Sequence, residues 1–199
     1  MAYTVILGVT GSIAAYKACE IVTSLVKSGV EVVVVMTSPA RQFITPLTFQ
    51  TLSRNEVVTE LFGPQEVHDP QHVSLSDRAD LILIAPATAN ILGKLASGIA
   101  EDVLACTVLA SKAKVLIAPA MDDRMYNHPV VQGNIEKLKG IGYRFIGPVE
   151  GRLSSGRIGV GRMAPVEEIV RLVQEELKEL ASNSIKDIKV REPSGKSKG

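Results

Sequence analysis

Four stretches of this chain are apolar at nearly every position rather than at every second one. They are residues 3–9 (Tyr-Thr-Val-Ile-Leu-Gly-Val), 31–36 (Glu-Val-Val-Val-Val-Met), 80–85 (Asp-Leu-Ile-Leu-Ile-Ala) and 114–118 (Lys-Val-Leu-Ile-Ala). A strand with no polar side has to be covered on both faces, which is the signature of a parallel sheet between two layers of helices. The intervening segments supply those helices. Residues 13–27 carry Ile13, Ala14, Ala18, Ile21, Val22, Leu25 and Val26 at helical spacing, and Ser28-Gly29 ends the run as a C-cap would. Strand, helix and strand close a βαβ unit by Met36, and a right-handed crossover sets its strands parallel.

The alternation continues. Helices are predicted over residues 88–96, 102–111, 129–140 and 165–180, and a short fifth strand over 143–146. In the last helix Glu167, Glu168, Glu175, Glu176 and Lys178 are expected to face outward. The expected fold is α/β, an open doubly wound parallel sheet, Rossmann-like or flavodoxin-like, in a single domain over residues 1–181. From Ser182 to Gly199 the composition turns polar with little periodicity, which reads as a linker or a disordered tail.

Composition narrows the function classes. The 199 residues are 46% apolar and 22% charged with a net charge of +1, so nothing marks the whole chain as a polyanion binder. Aromatics make up 4% and Trp is absent, which argues against stacking platforms for nucleic acid. Cys19 and Cys106 are too few and too far apart for a disulfide framework or a zinc site, and no His/Cys/Asp spacing points to a metal. No apolar run reaches the ~20 residues that span a bilayer, so no membrane partner is expected. The chain enters its first strand without a basic region or cleavage site. A cytoplasmic location is the expectation.

In doubly wound folds ligands bind beyond the carboxyl ends of the strands, near the switch in strand order. Gly8-Val9-Thr10-Gly11-Ser12-Ile13 lies there. Its small residues and the helix start behind them suit a phosphate. It departs from the dinucleotide fingerprint, with Thr at 10 and Ala at 14, and no acidic residue ends the second strand. Thr37 and Ser38 stand there instead, which suits a mononucleotide phosphate or ribityl chain better than the ribose of NAD. After the third strand, Thr88 can cap a helix and Asn90 offers both a donor and an acceptor.

Taken together these segments carry a resemblance. Gly-Val-Thr-Gly-Ser-Ile-Ala at 8–14 looks like the opening of the homo-oligomeric flavin-containing cysteine decarboxylases, the family that includes the phosphopantothenoylcysteine decarboxylases of coenzyme A synthesis. Pro86-Ala87-Thr88-Ala89-Asn90 is similar to their Pro-Ala-Ser-Ala-Asn loop. The segment from Pro119 through Met121, Asp122 and Met125 to Tyr126 resembles their Pro-x-Met-Asn-x-x-Met-Trp motif. Gly156, Gly159 and Gly161-Arg162-Met163 fit their Cys-Gly-x-x-Gly-x-Gly-Arg-Met clamp. His72 falls where the family has its active-site histidine. The match covers roughly residues 3–180, in order.

The resemblance implies FMN, held by Gly11, Ser12, Ile13, Thr37, Ser38, Thr88, Ala89, Asn90 and Ala120. It implies a substrate gripped by Met121, Asp122, Met125, Tyr126 and Arg162, with His72 and Ser155 in catalytic positions. The implied substrate is 4'-phosphopantothenoylcysteine. Its carboxylate leaves only after the carbon bearing the thiol is oxidised to a thioaldehyde, because the CO2 loss then gives a delocalised enethiolate. The flavin takes the hydride and, in coenzyme A synthesis, returns it. The family also implies a trimer or a dodecamer with flavin at the subunit boundary. It further implies a phosphopantothenate–cysteine ligase, fused or separate, toward which the segment from Ser182 would lead.

Two positions depart from the family pattern. Asp122 replaces an Asn. A charged Asp122 would repel a substrate carboxylate by roughly 4 kcal/mol at 4 Å and an effective dielectric of 20. Either it is protonated or it serves a different contact. Ser155 replaces the Cys that protonates the enethiol in reductive members, and Ser is a poor acid. The absent Cys would permit an oxidative decarboxylase of a peptide C-terminal cysteine. A non-catalytic FMN-binding subunit is the alternative outside enzymes. Flavin prenyltransferases fit less well, since they open with Gly-Ala-Ser-Gly.

Overall fold

The computed structural model describes residues 3–62 and 71–191. Five parallel strands, β1 (Thr4–Val9), β2 (Glu31–Met36), β3 (Leu81–Ala87), β4 (Lys114–Pro119) and β5 (Arg144–Phe145), form one sheet in the order β2-β1-β3-β4-β5. Of the two doubly wound orders left open by the sequence, this is the flavodoxin-like one. From β1 the chain goes to β2 on one side and then crosses back to β3 on the other side of β1. The switch therefore falls between β1 and β3, and a crevice opens beyond their carboxyl ends.

Each strand splits its side chains between two cores. Val5, Leu7 and Val9, with Val32, Val34 and Met36, face one cluster, which α1 (Ala15–Lys27) and α8 (Val166–Arg191) cover through Ala18, Ile21, Val22, Leu25, Ile169 and Val173. Ile6, Val33, Val35, Ile82 and Ile84 face the other. There α4 (Ala89–Ser97), α5 (Val103–Ala110) and α7 (Pro129–Gly140) contribute Leu92, Leu104, Val108, Ile135 and Leu138. Each large apolar side chain buried this way gains about 1.5–3 kcal/mol over exposure, so the continuous apolar runs account for the layered core.

Three differences from the sequence reading matter. First, α2 (Pro46–Ser53) and α3 (Gln71–Arg78) occupy segments to which the sequence reading assigned no element. Pro46 starts α2 with its φ preset, and Arg54 ends it in the left-handed region at φ 60°. Second, Glu176 does not face water. It is only 3% exposed and is ion-paired to Lys114 at 2.9 Å and to Arg144. Cations from β4 and β5 reach the buried carboxylate, so a polar residue sits on the covered side of an amphipathic helix. Third, α8 runs on to Arg191, so the expected boundary at 181 falls inside a helix. Ala181 to Arg191 contains no Gly or Pro to break the helix. Residues 192–199 of the expected linker lie outside the described residues. Among the described residues, no helix is long and apolar enough to cross a membrane.

Candidate functional site

A cleft of about 900 Å³ opens at the β1/β3 switch. One wall is the sheet end: Gly11, Ser12, Ile13, Thr88, Ala120 and Met121. The facing wall is Arg152, Leu153, Ser154, Gly161, Arg162 and Met163, with Lys17, Phe43 and Asp122 at the sides.

The sheet wall is held by buried hydrogen bonds. Thr10 is buried, and its hydroxyl donates to the Pro86 carbonyl at 2.7 Å while accepting from the Thr88 N–H at 3.0 Å. The loops after β1 and β3 are thereby stitched together. Ala120 N–H donates to the Ala87 carbonyl at 2.9 Å and adds β4 to the same unit. Gly11 is needed for a neighbour as much as for a ligand, because a Cβ there would lie 2.4 Å from the Pro39 Cβ. Helix α1 begins at Ala15, so Gly11 to Ile13 is a turn, in which the Ser12 hydroxyl accepts from the Ala14 N–H at 3.3 Å.

The other wall is an antiparallel hairpin, β6 (Val149–Arg152) and β7 (Ile158–Arg162). Its turn is closed by Leu153 N–H to the Arg157 carbonyl at 2.8 Å, with Gly156 at φ +85°. The hairpin docks closely on the segment after β4. Met121 N–H donates to the Gly161 carbonyl at 2.9 Å, and a Cβ on Gly161 would lie 2.2 Å from the Met121 carbonyl oxygen. Asp122 caps the short helix α6 (Asp123–Tyr126), accepting from the Arg124 N–H at 3.1 Å. Arg157 completes the docking. Its Nη2 donates to Asp122 Oδ1 at 2.6 Å, to Asp122 Oδ2 at 2.7 Å and to Asp123 Oδ1 at 2.6 Å. The guanidinium holds the Asp123 carboxyl below the usual carboxylate range, and Asp123 in turn pushes Arg157 up.

Lys17, Arg152 and Arg162 bring positive charge to the cleft, whereas its acid, Asp122, is already paired. Partial burial lowers the Lys17 pKa, and the nearby Arg162 lowers it further.

A family model described as Flavoprotein matches residues 1–178. The chain belongs to that family. It is 50% identical over 178 residues to the "Coenzyme A biosynthesis bifunctional protein CoaBC" of Bacillus subtilis, covering 89% of this chain and 44% of that protein. The chain thus spans less than half the length of that relative. It is 41% identical over 179 residues to the "Probable phosphopantothenoylcysteine decarboxylase" of Streptococcus mutans, covering 89% of this chain and all (100%) of that one. Among solved structures, a cysteine-to-serine variant of PPC decarboxylase complexed with pantothenoylaminoethenethiol superposes with a TM-score of 0.80 at 28% identity, over 89% of this chain and 100% of that one. The FMN-dependent cysteine decarboxylase SpaF gives 0.76 at 32%, over 88% and 97%.

The Flavoprotein family implies a flavin, and the cleft fits one. The Thr37 hydroxyl at the end of β2 is buried and has no hydrogen-bond partner among the described residues. Thr88 occupies the N-cap position of α4, yet its hydroxyl makes no capping bond and lines the cleft. The half-exposed Phe43 ring offers a flat apolar face beside them. Thr88 and Phe43 line the cleft and Thr37 lies outside its lining; hydroxyls and an apolar face are the kind of groups a flavin phosphate, ribityl chain and ring system require.

Not every predicted residue reaches the cleft. Gly11, Ser12, Ile13, Thr88, Ala120, Met121, Asp122 and Arg162 line it; Thr37, Ser38, Ala89, Asn90, Met125 and Tyr126 do not. Met125 is exposed on α6, and Tyr126 packs toward the second core. Ser155 sits exposed in the hairpin turn, while Ser154 lines the wall. His72 lies in the first turn of α3, away from the cleft of its own chain, with Nδ1 buried and unpartnered among the described residues. Thr10, Lys17, Arg152 and Arg157 were not singled out by sequence. Arg157 could be found only through its pairing, since it occupies an unspecified position of the clamp.

Proposed function

We propose that the chain binds FMN and decarboxylates 4'-phosphopantothenoylcysteine to 4'-phosphopantetheine. One observation carries the reading. Gly11–Ile13, Thr88, Ala120–Asp122 and the 152–163 hairpin, four segments far apart in sequence, converge on one cleft at the switch point of a Flavoprotein-family chain. The flavin, when bound, takes two electrons from the carbon bearing the substrate thiol and gives them back after CO2 is lost.

The chain's residues do the rest. The turn at Gly11–Ile13 and the Thr37 and Thr88 hydroxyls hold the cofactor's phosphate and ribityl chain, with Ser38, Ala89 and Asn90 completing that side in the assembled protein. Met121 and the hairpin exclude water from the reacting carbon. Lys17, Arg152 and Arg162 attract an anionic, phosphorylated substrate. His72 moves the thiol proton. Its distance from the cleft of its own chain, and the exposed Ile13, Tyr16 and Phe43 near the cleft mouth, support an assembly of trimers or a dodecamer in which a neighbour completes each site. A phosphopantothenate–cysteine ligase, fused or separate, would supply the substrate, in line with the name of the Bacillus subtilis relative. A cytoplasmic setting suits this chemistry.

A second reading is oxidative decarboxylation of a peptide C-terminal cysteine. It is favoured by the lack of a thiol in the hairpin wall, because the chain's cysteines are Cys19 and Cys106 and neither lines the cleft. The cationic rim favours the first reading.

Incubating the flavin-loaded protein with 4'-phosphopantothenoylcysteine and weighing the product decides between them. The expected product is the saturated aminothiol. An enethiol two hydrogens lighter supports the oxidative reading, and absence of CO2 refutes decarboxylation of this substrate.

A further inference from the structure

Asp122 poses a problem for the reading above, on which this inference rests. A bare carboxylate lining the cleft opposes a substrate that must arrive as a carboxylate. Three observations point to the answer. Asp122 is held through both of its oxygens by one guanidinium nitrogen. The same nitrogen reaches Asp123, so two adjacent acids share one cation. That cation comes from the turn of the hairpin, 35 residues away, and not from the strand end that carries the acids. Arg157 does not line the cleft itself. It stands behind Asp122 with its Nε buried and unpartnered among the described residues.

We infer that Arg157 is a positioning and specificity residue. It binds Asp122 and Asp123 into a triad of two acids and one cation, which lowers the net charge beside the cleft from −2 to −1, and by the same bonds it fixes the hairpin turn over the cleft. A substrate carboxylate then meets an Asp122 whose two oxygens are both engaged and whose charge is largely offset. Phosphopantetheine, the product, lacks that carboxylate and is indifferent to the pair. Arg157 thus governs the discrimination between substrate and product. Charge-assisted bonds of this length are among the stronger polar contacts in proteins. Leaving an acid without its partner costs more than removing both.

The test uses the flavin-loaded full chain with Arg157→Gln, Asp122→Asn and the double variant. KM and kcat are measured on 4'-phosphopantothenoylcysteine. Equilibrium affinity is measured for phosphopantetheine and for the serine analogue of the substrate, which keeps the carboxylate and lacks the thiol needed to form the thioaldehyde. Arg157→Gln should raise KM and weaken the serine analogue by roughly tenfold, the scale of a unit-charge contact at a partly solvated site. Affinity for phosphopantetheine should stay within about twofold. Adding Asp122→Asn should restore the analogue's affinity.

Amide hydrogen exchange over residues 153–160 supplies a readout that needs no ligand. It should speed up in Arg157→Gln. If wild type releases no CO2, the functional reading fails, while the two affinities and the exchange rates still judge this inference. Equal loss of both ligands, failure of Asp122→Asn to rescue, or unchanged exchange would each overturn it.

Discussion

The two walls of the cleft are held by different forces. The sheet wall is an extension of the core: Thr10 is buried, its hydrogen bonds run between loop backbones, and Gly11 is in contact with Pro39. The hairpin wall is an appendage. Its strands make no bonds with the main sheet, and it is fixed by one backbone bond from Met121, the close fit of Gly161 and an ion triad that is a third exposed at Arg157. Buried neutral hydrogen bonds resist salt and pH, whereas partly exposed charge pairs are screened. The expectation that follows is a division of labour, with the cofactor held by the rigid wall and the substrate selected by the adjustable one.

The largest test of this division concerns a residue in neither wall. His72→Asn should keep its flavin and lose turnover by about 10²–10⁴-fold, the usual worth of a placed proton-transfer group. Flavin absorbance after gel filtration and anaerobic bleaching by substrate measure the two separately. Unchanged bleaching removes His72 from the reaction.

Next, Gly11→Val forces side-chain atoms onto Pro39. Overpacking of this kind costs about 1–3 kcal/mol, so flavin affinity should fall by roughly ten- to a hundredfold while hydrogen exchange in the hairpin stays as it was. A fluorescence titration checks it, and an equal disturbance of the hairpin would mean that the walls are one unit.

The smallest effect is expected at the rim. Lys17→Gln with Arg162→Gln should lower the preference for 4'-phosphopantothenoylcysteine over the unphosphorylated compound by about tenfold or less, since exposed charge contacts are each worth about 0.2–1 kcal/mol. If the ratio of kcat/KM values holds and flavin affinity drops instead, these cations serve the cofactor's phosphate.

The same contrast explains what could be read from the sequence. The five strands and the helices α1, α4, α5, α7 and α8 announce themselves because burial on both sheet faces leaves unbroken apolar runs, and because cap residues bracket the helices. The sheet wall follows, since turns at strand ends in such folds collect ligand-binding residues. The hairpin was invisible. Val-Glu-Gly-Arg and Ile-Gly-Val-Gly-Arg carry too few apolar residues for a period of two, and their glycines are there for close docking rather than for a strand. Neither could the sequence pair Asp122 with Arg157, because nothing local in either segment refers to the other. It framed the Asp122 question as protonation or a different contact, and the structure supplies the contact. Glu176 was misplaced for a related reason: its cations come from β4 and β5, not from its own helix.

The Thr10 hydroxyl has a kinetic consequence. Because it donates to the Pro86 carbonyl near the end of β3 and accepts from the Thr88 N–H just beyond it, the floor of the cleft cannot open without breaking two hydrogen bonds at once, one of them fully buried. Openings of that sort belong to the slow, sub-global end of the range of native-state fluctuations, while a surface hairpin fluctuates far more often. Under the proposed function, substrate and product are expected to come and go many times during the residence of a single cofactor. The flavin is then expected to be a fixture of the protein, with turnover set by the tempo of the hairpin.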